Sequence, residues 1–169
     1  MPLAPIEIRP FEEADLQSLF EMYAAVVEDG GAVPANGASM DVFVEGWIRN
    51  RAVFVARSGD QIVGSYFVRS NFPAFAARIA QGGYTVSRSA RRQGIGRLMV
   101  EDSLCMAKRL GYSAMMFNLV LEGNPSRTLY ESLGFTVIGR IPNAKDGEDG
   151  IIYWRSLGDL RTDQATACK

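Results

Sequence analysis

The run Ser87-Arg88-Ser89-Ala90-Arg91-Arg92-Gln93-Gly94-Ile95-Gly96-Arg97-Leu98-Met99 carries the residue types that hold a phosphorylated ligand. It follows a strand-like Gly83-Tyr84-Thr85-Val86 and opens a helix-like segment reaching about Leu110. A glycine-bearing turn between strand and helix gathers backbone N–H groups at a helix N-terminus, where they bind phosphate oxygens. Arg91, Arg92 and Arg97 add positive charge around that turn. The dinucleotide fingerprint needs a third glycine where Met99 stands, which disfavours a nucleotide-binding oxidoreductase. The P-loop pattern is absent from the chain.

What remains is Arg91-x-x-Gly94-x-Gly96. Downstream, Asn124-Pro125-Ser126-Arg127-Thr128-Leu129-Tyr130-Glu131-Ser132-Leu133-Gly134-Phe135 reads as a short helix. Asn124 suits its N-cap, Pro125 its first position and Gly134 its stop. Together the two segments resemble the Q/R-x-x-G-x-G/A pyrophosphate loop and the N-x-[AS]-x-x-L-Y-x-x-x-G-F segment of the GNAT superfamily of acyl-CoA N-acyltransferases. The resemblance spans about residues 6 to 157. A weaker resemblance joins Phe117-Asn118-Leu119-Val120 and Ile138-Gly139-Arg140-Ile141-Pro142 to members that acetylate azetidine-2-carboxylate and related small imino acids.

The resemblance implies an acetyl-CoA-dependent N-acetyltransferase. It implies that the pantetheine arm pairs with backbone near Thr85 and Val86. The pyrophosphate would lie on the amides of Arg92, Gln93, Gly94, Ile95, Gly96 and Arg97, with Arg91 beside them and Asn124 as a further cofactor contact. Tyr130 is the candidate general acid. A phenol with pKa about 10 is protonated at neutral pH and can donate to a departing thiolate. Its competing reading is a core aromatic on an amphipathic helix. No base stands out: the chain has no histidine, and Glu122 and Glu45 read as solvated. Asn118 is the substrate-side candidate, because an amide in an apolar strand needs a partner. That partner is either backbone or substrate.

The elements that must carry these groups follow from periodicity. Ile6–Pro10 reads as a strand, and Glu12 to Val27 as an amphipathic helix through Leu16, Leu19, Phe20 and Tyr23. Asp29 to Met40 reads as a loop and Asp41 to Asn50 as a second helix. Val53–Ala56 and Ile62–Val68 form a hairpin around Ser58-Gly59-Asp60, and Ser70 to Gln81 is an aromatic-bearing connection. Tyr84 to Ser87 is the fourth strand. The helix after the glycine loop turns Ile95, Met99, Met106, Ala107 and Leu110 to one side. Ala114–Leu121, Thr136–Arg140 and Ile151–Arg155 complete the strands, with Asn143 to Gly150 as a polar turn. This order matches the α/β (α+β) GNAT fold: a mixed, mostly antiparallel sheet of about seven strands flanked by about four helices. One domain over residues 1–160 and a tail over 161–169 are expected.

Composition bounds the rest. The 169 residues are 47% hydrophobic and 22% charged with net charge -1, so no basic field points to nucleic acid. Two cysteines, Cys105 and Cys168, lack metal or redox spacing and read as free thiols; with no histidine, no metal is expected. No membrane partner is expected, the N-terminus reads as no signal peptide, and the expected location is cytoplasmic. The expected acceptor is a small-molecule amine, such as an amino or imino acid, bound in a small pocket made by Phe72-Pro73-Ala74-Phe75, the loop from Gly30 to Ser39, and Asn118. A protein N-terminal or lysine acetyltransferase, and a non-catalytic acyl-CoA-binding module, stay open, as does a homodimer.

Overall fold

The computed structural model describes residues 4–30, 39–158 and 160. Most of the loop from Gly30 to Ser39, and the tail 161–169 with Cys168, lie outside the described residues. The strands are β1 (Ile6–Pro10), β2 (Ala52–Ser58), β3 (Gln61–Ser70), β4 (Ile79–Val86), β5 (Ala114–Leu121), β6 (Thr136–Lys145) and β7 (Glu148–Ser156). The α-helices are α1 (Leu16–Glu28), α2 (Met40–Phe43), α3 (Ile95–Arg109) and α4 (Arg127–Ser132). The described strands form a seven-stranded sheet in the order β1-β2-β3-β4-β5-β7-β6. Its pairings are antiparallel for β1–β2, β2–β3, β5–β7 and β6–β7, and parallel for β4–β5. The parallel ladder comprises Ile79↔Ala114 and Ala80↔Met115.

The chain divides into two compact units, Met1–Arg69 with Gly83–Ser103, and Ser70–Gly82 with Leu104–Lys169. In the first unit, α1 and α2 cover β2 and β3. Leu19, Met22, Tyr23 and Val26 recur at helical spacing and meet Phe43, Trp47, Val53, Val55, Ile62 and Phe67 in one buried cluster. Burying each such side chain contributes roughly 1.5–3 kcal/mol before entropy is counted. Rings lock the cluster: Tyr23–Phe43 centroids are 4.8 Å apart, and Trp47 meets Phe67 edge-on at 5.0 Å. The Trp47 indole donates to Ser65 Oγ at 3.1 Å, and that hydroxyl donates to the Phe54 carbonyl, so the buried polar atoms are satisfied. α2 runs on as a π-helical turn over Val44–Ile48, which carries Trp47 inward. Arg9 grips Asp15 through two 2.7 Å bonds ahead of α1, and Asp15 also accepts from the Glu12 N–H.

In the second unit, β5 lies beside β7, and β6 forms the sheet edge. Phe117 stacks on Phe135 at 4.6 Å and packs against Tyr130 at 4.7 Å. α4 ends at Gly134, where the Phe135 N–H reaches back to the Tyr130 carbonyl at 3.1 Å and closes the helix.

Several sequence boundaries move. β4 begins at Ile79 because Asn71 N–H and Ile79 C=O close the preceding connection at 2.8 Å. β6 and β7 extend to a tight turn at Asp146 and Gly147, so most of the expected polar turn is strand. Leu110 is half exposed, since α3 stops at Arg109. Cys105 is disulfide-bonded rather than free; sequence spacing carries no information on which groups a fold brings together.

Candidate active site

The first unit carries the glycine loop. The Ser87 N–H donates to the Val63 carbonyl at 2.9 Å, pinning the exit of β4, and a 3-10 turn over Arg88–Ala90 follows. Arg92 and Gly94 then adopt left-handed backbone, φ 62° and 81°, with Gln93 between them. Such alternation turns successive N–H groups toward one concavity, and a non-glycine residue held there is strained by about 1 kcal/mol or more. The Gln93 side chain bridges the loop to the Ser89 carbonyl at 3.0 Å. α3 starts at Ile95, and the Leu98 N–H closes its first turn onto the Gly94 carbonyl at 3.1 Å. Helix geometry leaves the preceding N–H groups without intrahelical acceptors, and the first turn holds no acidic residue. Arg91, Arg92, Gln93 and Gly94 are exposed and Ile95 is buried as the anchor. Arg97 pairs with Glu101 at 3.1 Å on the surface of α3. Thr85 is buried with its hydroxyl lacking a hydrogen-bond partner. An open cleft of about 900 Å³ in this unit, lined by Met22, Val26, Asp29, Ile62 and Ser87 among others, contains none of the expected site residues.

The second unit carries Tyr130, Asn124 and Asn118. Tyr130 sits among Phe117, Phe135 and Tyr153. Burial pushes its phenol above the ordinary tyrosine value, and a hydrogen bond from Ser126 offsets part of that rise. Tyr130 is therefore neutral at physiological pH. Asn124 is not the N-cap: Ser126 holds that position without a side-chain bond and α4 begins at Arg127 rather than at Pro125, while Asn124 Oδ1 accepts the Ser126 N–H at 2.8 Å in a local turn ahead of the helix. Glu122 and Glu45 are exposed and ion-paired to Arg140 and Arg49, as solvated carboxylates are.

Asn118 lies where the β5–β7 register shifts between Phe117 and Val120. Such a bulge re-aims a side chain. Its amide pairs reciprocally with that of Asn71: Asn71 Nδ2 donates to Asn118 Oδ1 and Asn118 Nδ2 to Asn71 Oδ1, both at 2.7 Å. The partner is thus a side chain on the connection before β4, which no sequence spacing signalled. Phe75, expected to wall a pocket, is 99% exposed. It stands on a 3-10 turn whose Ala74 has φ 52°, and that turn carries the ring outward.

Among the described residues no group of three or more His, Cys, Asp or Glu side chains could hold a metal ion, and no helix is long and apolar enough to cross a membrane.

Comparison with known proteins adds identity to this geometry. A family model described as Acetyltransferase (GNAT) domain matches residues 49–137, more than half of the 169-residue chain. N-acetyltransferase aca1 of Schizosaccharomyces pombe is 38% identical over 84 residues, 49% of this chain and 40% of that protein. The matched stretch spans less than half the length of the curated relatives it resembles. A GCN5-related N-acetyltransferase from Kribbella flavida superposes with TM-score 0.81 at 27% identity, covering 89% of this chain and 97% of that one. The yncA protein of Salmonella typhimurium, solved with its cofactor acetyl-CoA, shares the fold at TM-score 0.77 and 22% identity, over 92% of this chain and 95% of that one. The glycine loop at the head of α3, the order of strands and helices, and the matching family model agree: this chain belongs to the GNAT acetyltransferase family.

Proposed function

We propose that this chain moves an acetyl group from acetyl-CoA directly to the amine of a small molecule, such as an amino or imino acid. The observation that carries the reading is the left-handed pair Arg92 and Gly94 at the head of α3, a backbone cradle for a diphosphate flanked by Arg91. The unpartnered Thr85 hydroxyl on β4 supports a ligand along that strand. In this reading the N–H groups from Arg92 to Arg97 hold the pyrophosphate, β4 at Thr85 and Val86 pairs with the pantetheine amides, and Asn124 adds a cofactor contact.

The neutral amine attacks the thioester carbon, and the carbonyl electrons move to oxygen. Collapse of the tetrahedral species breaks the C–S bond. Tyr130 gives its phenolic proton to the leaving sulfur and is reprotonated from solvent, while the amine nitrogen loses its extra proton to water. Burial keeps the phenol protonated at neutral pH, so it holds a proton to give, while the same upward shift makes it a weaker acid toward the thiolate. The Asn118–Asn71 pair retains one unused N–H on each amide, suited to an acceptor carboxylate. Residues 1–160 act as one catalytic domain in this proposal, in the cytoplasm, with homodimerisation and absence of a metal as parts of the same reading.

One observation favours a second acceptor class. The exposed Phe75 lies in the same connection as Asn71 and suits contact with a peptide acceptor. The test is acetyl-CoA turnover, read as released thiol, across azetidine-2-carboxylate, proline and other amino acids, peptide N-termini, spermidine and aminoglycosides. Turnover on small amino or imino acids supports the reading. Activity confined to peptides transfers it to a protein acceptor, and acetyl-CoA binding without turnover on any amine makes the chain a binding module.

A further inference from the structure

Tyr130 is one turn along a helix of only six residues, α4, which carries little stability of its own. Something must hold that helix against β7. The hydroxyl of Tyr153 does so from a fully buried ring. It donates to Glu131 Oε1 at 2.6 Å and accepts from Arg127 Nε at 2.9 Å. Arg127 also donates to the Glu122 carbonyl at 2.9 Å, and its guanidinium lies 3.7 Å from Glu131. Arg127 and Glu131 bracket Tyr130 along the chain, so one phenol on β7 ties both sides of the candidate acid. The Tyr153 ring itself meets the Tyr130 ring at 6.0 Å with an interplanar angle of 64°.

We infer that Tyr153, together with Arg127 and Glu131, is a positioning residue for Tyr130: the three-way hydrogen-bonded tie fixes α4 so that the Tyr130 phenol stays in one place. This rests on the proposed role of Tyr130 as acid. Displacement of a reacting group by about 1 Å costs on the order of 100-fold in rate, so a helix free to rock would forfeit part of what Tyr130 contributes. The geometry assigns the tie to orientation rather than to chemistry. Tyr153 Oη is already committed to Glu131 and Arg127, and it reaches the acid only through the shared helix and the ring edge.

Tyr153→Phe keeps the ring and its edge contact and deletes the hydroxyl. Glu131→Ala deletes the acceptor, and Glu131→Gln keeps an acceptor oxygen. With ¹³C-labelled tyrosine, the Tyr130 resonance, assigned by its loss in Tyr130→Phe, should move or broaden in Tyr153→Phe and in Glu131→Ala and return in Glu131→Gln. This measurement needs no acceptor amine. With the fastest amine of the panel, kcat should fall about tenfold in the first two variants with the KM for acetyl-CoA unchanged. In a Tyr130→Phe background the same substitutions should cost less than about twofold, because residues acting through one group are not additive. A Tyr130 resonance unmoved by both variants overturns the inference, and so does an equal loss of kcat with and without the Tyr130 hydroxyl. Full activity in Tyr130→Phe alone removes the acid assignment and the inference with it. Absence of turnover on every amine counts against the proposed function, while the resonance still decides the positioning role.

Discussion

Replacing Gly94 separates the two things its position does: adopt a left-handed backbone and leave room for an anion. Its φ is +81°, and a Cβ built there meets nothing within 4 Å. Neither alanine nor glutamate clashes, so both lose stability only through strain, about 1 kcal/mol. Glutamate adds a charge. A carboxylate about 6 Å from a phosphate repels it by about 0.7 kcal/mol at the dielectric of water and about 3 kcal/mol at an effective value near 20. At about 1.4 kcal/mol per decade, two phosphates raise Kd for acetyl-CoA by about tenfold at the least and by about 10,000-fold at the upper end. Calorimetric titration of acetyl-CoA into the parent protein, Gly94→Ala and Gly94→Glu measures this, with thermal denaturation as the stability control. The two variants should share a similar Tm. Gly94→Glu should bind more weakly than Gly94→Ala, by a margin that shrinks as salt rises. Equal affinity in the two variants would refute the placement of the pyrophosphate on this loop.

Gly83→Ala would put a Cβ 2.4 Å from Phe67 Cε1, and Phe67 is hemmed by Trp47 and by the Arg51 guanidinium 5.1 Å from its centroid. The ring cannot step aside, so stability should drop by about 1–3 kcal/mol; an unchanged denaturation midpoint would show that the packing yields. The Arg9 guanidinium holds the Asp15 carboxyl below the usual carboxylate range. Its stabilisation is therefore present above the unfolded pKa of about 4 and lost as pH falls through the depressed folded value. Asp15→Asn should cost about 1–3 kcal/mol at pH 7, and its urea midpoint should meet that of the parent protein at low pH; a gap that persists in acid would contradict this. Asn71→Ala should reproduce Asn118→Ala, raising the KM for the amine and sparing acetyl-CoA affinity, and the double variant should add little. Additive losses would mean that the two amides act separately.

Much of what depends on near neighbours in the chain could be read from the sequence by itself, though not the start of α4, which falls at Arg127. The strand-to-helix glycine loop, the stop at Gly134 and the order of strands and helices rest on turns, caps and periodicity within a few residues. Arg91-x-x-Gly94-x-Gly96 predicted a cradle, and Gly94 is left-handed there. The strain at Arg92 was not legible, because nothing in the residue type asks for a positive φ. Tertiary structure alone decided the long-range partners. Asn118 finds Asn71 across 47 residues of chain, and Tyr153 finds Arg127 and Glu131 across 26 and 22. It also turned Phe75 outward and left Leu110 half exposed against the pattern of their neighbours. The reason is physical. A cap or turn is settled by the conformations open to its own residues, whereas a hydrogen bond between distant side chains exists only after sheet register has brought their strands together.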